Sequence, residues 1–149
     1  MKKVRVTIDI NVILDLLENR NGWVVDAAKT CAVCGAQTRV VGFIPVHAVT
    51  TIYYIVRKRG GKALADKTMD WLLALFKVST CGADEFRAAR QFDMADFEDA
   101  VVAATARRES CDYIVTRNEA HFRNSPVKAI SPAKFAAQFD DGKLFALWR

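Results

Sequence analysis

The sequence of 149 residues lacks any apolar stretch long enough to cross a lipid bilayer. Its longest apolar runs, such as residues 100–106, are far shorter than the roughly 20 residues that a transmembrane helix needs. Two lysines near the start resemble the charged end of a signal peptide. However, Asp9, Asn11 and Asp15 interrupt the segment that would have to be apolar. We therefore expect no membrane span and a cytoplasmic protein.

The sequence also lacks the paired ligands of a zinc site. Cys31 and Cys34 have the spacing of half such a site, but no second pair of cysteines or histidines follows, because Cys81 and Cys111 stand alone. In a cytoplasmic protein with an adequate core, we expect these cysteines to stay reduced and to pack as small apolar side chains.

There is no repeat, low-complexity tract or linker, so the sequence predicts a single domain over residues 1–149. With 52% hydrophobic and 26% charged residues, the composition is that of an ordinary globular protein. A domain of this length buries roughly 68–70% of the surface of its unfolded chain. The net charge of +5 and a pI near 9.2 favour a polyanionic partner such as nucleic acid without establishing one.

Apolar residues alternate between strand-like and helix-like spacing along the chain. The predicted strands are Val4–Ile8, Val40–Ile44, Lys77–Thr80, Tyr113–Thr116 and Val127–Ile130. The predicted helices are Asn11–Glu18, Val24–Cys34, Val46–Lys58, Lys62–Phe76, Asp84–Gln91, Asp96–Glu109 and a segment after Pro132. Such alternation indicates a three-layer α/β/α fold with a central parallel sheet of about four to five strands.

Three carboxylates are predicted to reach one edge of this sheet. Asp9 ends the first strand, and ligands of open α/β sheets bind beyond the carboxyl ends of the strands. Asp96 and Asp99 begin a helix whose body, residues 100–106, is apolar nearly all round and therefore has to run through the interior. Their spacing of three residues puts both side chains on one side of that helix.

Two interpretations of Asp96 and Asp99 remain open from the motif alone. They are either a helix cap favoured by the helix dipole or ligands of a metal ion. Asp9 favours the metal, because converging carboxylates without a cation would repel and raise one another's pKa. Oxygen ligands suit Mg²⁺ or Mn²⁺. Such an ion lowers the pKa of a bound water and polarises a phosphodiester.

Three stretches together resemble the signature segments of PIN domains, in order and spacing. They are Ile8-Asp-Ile-Asn-Val-Ile-Leu14, Asp99-Ala-Val-Val-Ala-Ala-Thr-Ala106 and Tyr113-Ile-Val-Thr-Arg-Asn118. The acidic segment at 96–99 and the Thr-Arg-Asn at 116–118 are similar to the toxin branch of bacterial toxin–antitoxin systems. The resemblance implies a Mg²⁺- or Mn²⁺-dependent endoribonuclease, commonly a homodimer, which a small antitoxin protein inhibits.

The resemblance also implies roles for individual residues. Asp9 matches the first acid of the family and Asp99 the third, and Asn11 and Thr116 match polar residues that brace the site. Asp96 joins Asp9 and Asp99 in our predicted catalytic and metal-binding set.

Two positions depart from the family pattern. Thr51 stands where the family has a glutamate, and Asn118 replaces its fourth acid, so neither supplies a negative charge. We expect Asp96, with Glu98 or Glu119 nearby, to compensate for the two missing acids. Arg117, between Thr116 and Asn118, is predicted to bind a phosphate of the RNA through paired hydrogen bonds.

Other functions compete with a nuclease. A phosphatase of the haloacid-dehalogenase type also has an aspartate after its first strand, but it needs a second one two residues later, where this chain has Asn11. A catalytically degenerate PIN-like module that binds RNA or a protein is favoured by Thr51 and Asn118. We expect His47 to be structural, and Tyr53 and Tyr54 to pack in the core or at a dimer surface.

Overall fold

The computed structural model describes residues 2–140, which form alternating strands and helices. The strands are β1 (Val4–Ile8), β2 (Val40–Pro45), β3 (Lys77–Ser79), β4 (Tyr113–Val115) and β5 (Lys128–Ile130). The helices are α1 (Ile10–Leu17), α2 (Val24–Ala36), α3 (Val46–Gly60), α4 (Lys62–Leu75), α5 (Ala83–Ala89), α6 (Phe97–Arg108) and α7 (Pro132–Phe139).

Each predicted strand and helix has a counterpart in the structure, with small shifts at the ends. A short 3-10 helix, Glu119–Phe122, follows β4 and has no counterpart in the sequence prediction. Met1 and residues 141–149 lie outside the described residues, so the single domain over the full length stays a prediction. No helix within residues 2–140 has the length and apolar character needed to cross a membrane.

The five strands form one parallel sheet in the order β3-β2-β1-β4-β5. The chain moves outward from β1 through β2 to β3 and then crosses to the other side of β1 to form β4. The strand order therefore changes direction between β1 and β4. In open α/β sheets, a crevice for ligands forms at such a point, beyond the carboxyl ends of the two strands.

Helices cover both faces of the sheet, which confirms the three-layer architecture. On one face, residues of α1, α2, α3, α4 and α7 share a core with β1 and β2. On the other face, α5 packs against α6, and α6 contacts β1, β2 and β4. All of residues 100–106 of α6 are buried, as predicted. This burial fixes the start of α6 at the carboxyl edge of the sheet.

Cys31 and Cys34 pack as small core residues between α2 and the sheet, and both are fully buried. A Cβ atom at Gly42 of β2 would lie only 2.8 Å from Sγ of Cys34, so glycine permits this close approach. All four cysteines are free thiols in the structure. Burial raises the pKa of Cys31 to about 12, which keeps this thiol protonated at neutral pH.

Candidate functional site at the carboxyl edge of the sheet

Asp9 lies where β1 ends and α1 begins, and it is only 6% exposed. Its Oδ1 accepts a 2.8 Å hydrogen bond from the backbone N–H of Ile10, which makes Asp9 the N-cap of α1. Its Oδ2 accepts a 2.8 Å hydrogen bond from Oγ1 of Thr116 and a 3.3 Å contact from Nδ2 of Asn11. The carboxylate of Asp9 is therefore held by donors from α1, which follows it in the chain, and from Thr116, which follows β4.

The surroundings of Asp9 raise the pKa of its carboxyl. Burial is the largest cause, and the hydrogen bonds from Thr116 and Ile10 oppose it. The negative charge of Glu98 raises the pKa further, whereas His47 lowers it. The structure thus brings His47 and Glu98 within electrostatic reach of Asp9.

The sequence analysis treated His47 as structural and left it out of the predicted site. It lies one helical turn before Thr51 on α3, and Oγ1 of Thr51 donates a 3.2 Å hydrogen bond to the carbonyl oxygen of His47. Residues four apart on a helix share a face. The sequence therefore already indicated that His47 lies near the site, because Thr51 matches the family glutamate and His47 precedes it by four residues.

Asp96 is the N-cap of α6, since its Oδ1 accepts a 3.0 Å hydrogen bond from the backbone N–H of Asp99. The capping interpretation is therefore observed for this residue. Asp96 is exposed, whereas the side chain of Asp99 is only 19% exposed. The two acids therefore differ in exposure, although the sequence analysis assigned both of them to the same metal-binding set.

The pKa of Asp99 is raised to about 6. Burial is the largest cause, and the charges of Asp96, Asp9 and Glu98 add to it. His121 opposes the shift, and its Nδ1 lies 3.6 Å from Oδ2 of Asp99. Asp9 and Asp99 thus interact electrostatically across the crevice between β1 and β4, in a site rich in negative charge.

The three predicted carboxylates do not form a ready-made ligand cluster. Among residues 2–140, no group of three or more His, Cys, Asp or Glu side chains is placed to hold a metal ion. Asp9 and Asp99 nevertheless offer carboxylate oxygens that repel each other without a cation. Within the described chain, Oδ1 of Asn11 is buried without a hydrogen-bond partner. These donors fit a hard divalent ion that keeps several waters in its coordination shell.

The supporting residues divide between the buried and the exposed parts of the site. Thr116 is fully buried, and besides donating to Asp9 its Oγ1 accepts a 3.1 Å hydrogen bond from the backbone N–H of Asn118. Asn118 and Thr51 are exposed. Thr116 and Asn11 are therefore the supporting residues whose side chains contact Asp9 directly.

The guanidinium of Arg117, which we predicted to bind a phosphate, has partners within the protein. Nε of Arg117 lies 2.6 Å from Oδ2 of Asp15, a carboxylate that is 1% exposed. The guanidinium also lies over the ring of Trp23, at 4.7 Å from its centroid. Little water screens this pair, so Asp15 competes with any phosphate for the guanidinium.

A cavity of about 350 Å³ lies beside Asp96 at the start of α6 and is lined by Asp96, His121 and Arg123, among others. His121 and Arg123 received no specific role from the sequence, although both follow Asn118 closely in the chain. The short 3-10 helix Glu119–Phe122 and its end turn them toward this cavity. Arg123 is exposed, whereas the side chain of Arg117 is only 21% exposed.

Comparisons with known proteins agree with this architecture. A family model described as "PIN domain" matches residues 5–120. No curated protein sequence matches the chain closely enough to count as a relative.

Solved structures share the fold at low sequence identity. VapBC2 from Rickettsia felis, bound to a promoter DNA fragment, has a TM-score of 0.66 and 13% identity, covering 86% of this chain and 98% of the other. A toxin–antitoxin complex from Klebsiella pneumoniae has a TM-score of 0.64 and 17% identity, covering 85% and 97%. VapC20 from Mycobacterium tuberculosis, described as a toxin that cleaves the sarcin–ricin loop, has a TM-score of 0.55 and 16% identity, covering 73% and 86%.

Proposed function

The chain belongs to the PIN-domain family, and we propose that it is a Mg²⁺- or Mn²⁺-dependent endoribonuclease, the toxin component of a toxin–antitoxin pair. The observation that carries the proposal is the convergence of Asp9 and Asp99. Asp9 caps α1 at the end of β1, Asp99 lies in the first turn of α6, which packs on β1 and β4, and the charge of Asp9 contributes to the raised pKa of Asp99. A divalent ion offsets that repulsion, and raised carboxyl pKa values in a cleft are typical of functional sites.

Asp9 and Asp99 are the two carboxylates that we assign to the metal. When bound, the ion supplies a water of lowered pKa and polarises the phosphodiester. Thr116 and the N–H of Ile10 fix the two oxygens of Asp9, and Asn11 adds a buried oxygen next to it. Asp96 caps α6 and thereby sets the position of Asp99.

Thr51 and Asn118 are neutral, so they add no negative charge to the proposed site. Glu98 is the remaining acid whose charge reaches both Asp9 and Asp99. Two carboxylates with waters suit one ion better than two, because a second ion would lack a carboxylate of its own. We therefore propose a site that uses a single metal ion, with Glu98 at its rim.

The proposed partners are RNA, an antitoxin protein and a second copy of the chain. The net charge of +5 favours RNA, and Arg123 brings a cation to the cavity beside Asp96. Two of the similar structures are described as toxin–antitoxin or VapBC complexes, which supports an antitoxin here. A homodimer follows only from the family resemblance.

Cleavage of a fluorescently labelled RNA with several single-stranded loops tests the proposal. The protein is incubated with the RNA in MnCl₂, MgCl₂ or EDTA, next to the double variant Asp9→Asn/Asp99→Asn. The variant Asp84→Asn, which changes a 96% exposed acid of α5, serves as the matched control. We expect metal-dependent cleavage by the wild type and the control, and none by the double variant.

Two other results would contradict the proposal in different ways. Equal cleavage by the double variant would trace the activity to a contaminating nuclease or to another site. RNA binding without cleavage in either metal would instead support the degenerate RNA-binding module, in keeping with the neutral residues Thr51 and Asn118.

A further inference from the structure

A buried ion pair connects α1 to the segment that leaves β4. Asp15 of α1 is 1% exposed, and two arginines meet its carboxylate: Nε of Arg117 at 2.6 Å from Oδ2 and Nη1 of Arg20 at 3.2 Å from Oδ1. The Nε and Oδ2 atoms of the first pair are both closed off from solvent and meet as an ion contact rather than as an aligned hydrogen bond. Removing one partner of a buried ion pair is strongly destabilising, because it leaves the other charge without compensation.

Trp23 covers the outer side of this pair. The guanidinium of Arg117 lies over its ring at 4.7 Å, and the Arg117 side chain is only 21% exposed. A cation over an indole ring gains about 0.5–2 kcal/mol, depending on how dry the contact is. Asp15 and Trp23 therefore hold Arg117 from two sides in one orientation.

The ion pair of Asp15 and Arg117 completes a closed series of contacts, which we call the ring. It runs from Asp9 along α1 to Asp15, across to Arg117, and back to Asp9 through Thr116. Asp9 begins α1, and Asp15 lies six residues further along the same helix. Arg117 contacts Asp15, and its neighbour in the chain, Thr116, donates the 2.8 Å hydrogen bond to Oδ2 of Asp9. The backbone N–H of Asp9 also donates to the carbonyl oxygen of Val115 at 3.0 Å.

We propose that Arg117 is a positioning residue, which locks the exit of β4 onto α1 through Asp15 and so holds the Thr116 hydroxyl on Asp9. Thr116 follows the last residue of β4, and its backbone N–H donates a 2.9 Å hydrogen bond to the carbonyl oxygen of Ile130 on the β5 side. The contact of Arg117 with Asp15 adds an anchor on the other side, toward α1. This inference rests on the proposed function, in which Asp9 binds the metal.

Arg20 provides the matched control, because it contacts the same buried carboxylate but lies outside the ring. Its second nitrogen binds Glu18, and it has no link to Thr116 among the described contacts. Arg117→Gln and Arg20→Gln each remove one cation from Asp15, so both are expected to lower the unfolding midpoint. Only Arg117→Gln is expected to make the position of the Thr116 hydroxyl on Asp9 less rigid.

The first readout is Mn²⁺ affinity, measured by calorimetry at a temperature where every variant is fully folded. Residues behind a metal ligand typically contribute about 10- to 100-fold to affinity or activity. We expect Thr116→Val to weaken Mn²⁺ binding by about tenfold or more, Thr116→Ser to retain it, and Arg117→Gln to weaken it by at least about threefold. Arg20→Gln should bind like the wild type. In the Thr116→Val background, Arg117→Gln should weaken Mn²⁺ binding little further, since its effect depends on the Thr116 hydroxyl that valine lacks.

The second readout needs no metal, and it separates this inference from the proposed function. The backbone N–H of Asn118 donates to Oγ1 of Thr116 at 3.1 Å, so its hydrogen exchange reports how firmly Thr116 is held. In EDTA, exchange at Asn118 should be faster in Arg117→Gln than in Arg20→Gln at matched stability.

Equal exchange and equal Mn²⁺ affinity in the two glutamine variants would overturn the positioning role. Faster exchange in Arg117→Gln without any Mn²⁺ binding by the wild type would support the positioning role and refute the proposed metal site. Should Arg117→Gln fail to fold, Arg117→Lys replaces it, because lysine retains the charge but loses the planar contact with Trp23.

Discussion

Oγ1 of Thr116 donates a 2.8 Å hydrogen bond to Oδ2 of Asp9 across 107 residues of sequence. The bond joins the carboxyl ends of β4 and β1, the two strands that flank the crevice. It also opposes the rise in the pKa of Asp9 that burial causes. A single hydroxyl thus favours the charged form of the carboxylate and fixes its orientation, and both effects assist a metal ligand.

We expect Mn²⁺ to stabilise the wild type and to leave Asp9→Asn/Asp99→Asn unaffected. An ion that binds only the folded state adds about 2.7 kcal/mol at about 100 times its Kd. In a domain of this size, that corresponds to a rise of several degrees in the midpoint. Thermal melts over a range of MnCl₂ concentrations measure the rise, with Asp84→Asn as the control. Equal rises in all three proteins would place the ion elsewhere.

Stability without metal should fall as the pH rises from about 4 to above 6. The folded protein raises the pKa of Asp99 from 3.8 to about 6, so its ionisation is harder in the folded state than in the unfolded chain. The stabilising contribution is therefore fully present below the unfolded pKa and is lost as the pH rises through the folded value. The raised pKa of Asp9 acts in the same direction.

Urea unfolding in EDTA between pH 4 and 8 measures this dependence. Asp99→Asn should flatten the curve and raise the midpoint at pH 7.5, because the variant carries no charge to bury. Asp84→Asn should follow the wild type. A marked loss of stability in Asp99→Asn at pH 7.5 would instead show that the Asp99 carboxylate mainly stabilises the first turn of α6.

Changes at Asp96 should separate its cap from any role in metal binding. Asp96→Ala removes the acceptor of the Asp99 N–H and is expected to cost about 1 kcal/mol. Asp96→Ser retains an acceptor, so its unfolding free energy should stay close to that of the wild type. We expect Asp96→Ser to retain cleavage within about tenfold, since Asp96 is exposed and committed to the cap. A loss as large as that of Asp99→Asn would return Asp96 to the metal-binding set.

RNA binding should weaken with salt through Arg123 rather than through Arg117. Each phosphate contact on a single strand contributes roughly −0.7 to the slope of log affinity against log salt concentration. Arg123 is exposed and lines the cavity beside Asp96, whereas Arg117 is held by Asp15.

Filter binding of a labelled single-stranded RNA, between low and moderate salt, gives the slopes. Arg123→Ala should flatten the slope by about 0.7, and Arg117→Gln, measured at a temperature where the variant is folded, should retain the slope of the wild type. A flatter slope for Arg117→Gln, with that of Arg123→Ala unchanged, would restore Arg117 as a phosphate contact.

The positions of the strands and helices were determined by the sequence. Val4–Ile8 alternates β-branched residues, and the apolar body of α6 could be stable only inside the protein. Both signals are local and strong. From them follow the parallel sheet, the placement of Asp9 at the end of β1, and the placement of Asp99 at the start of a buried helix.

Tertiary structure alone decided how the charged side chains are used. Asp96 and Asp99 are equivalent in the motif, but burial raises the pKa of Asp99 while Asp96 remains exposed and caps α6. Arg117 stands between two predicted site residues, yet its partner Asp15 is brought to it by the pairing of β1 with β4. The physical reason is that burial and ion pairing depend on which segments meet in space. Periodicity and spacing place residues at an edge of the sheet, but they do not determine which side chains there become buried or form ion pairs.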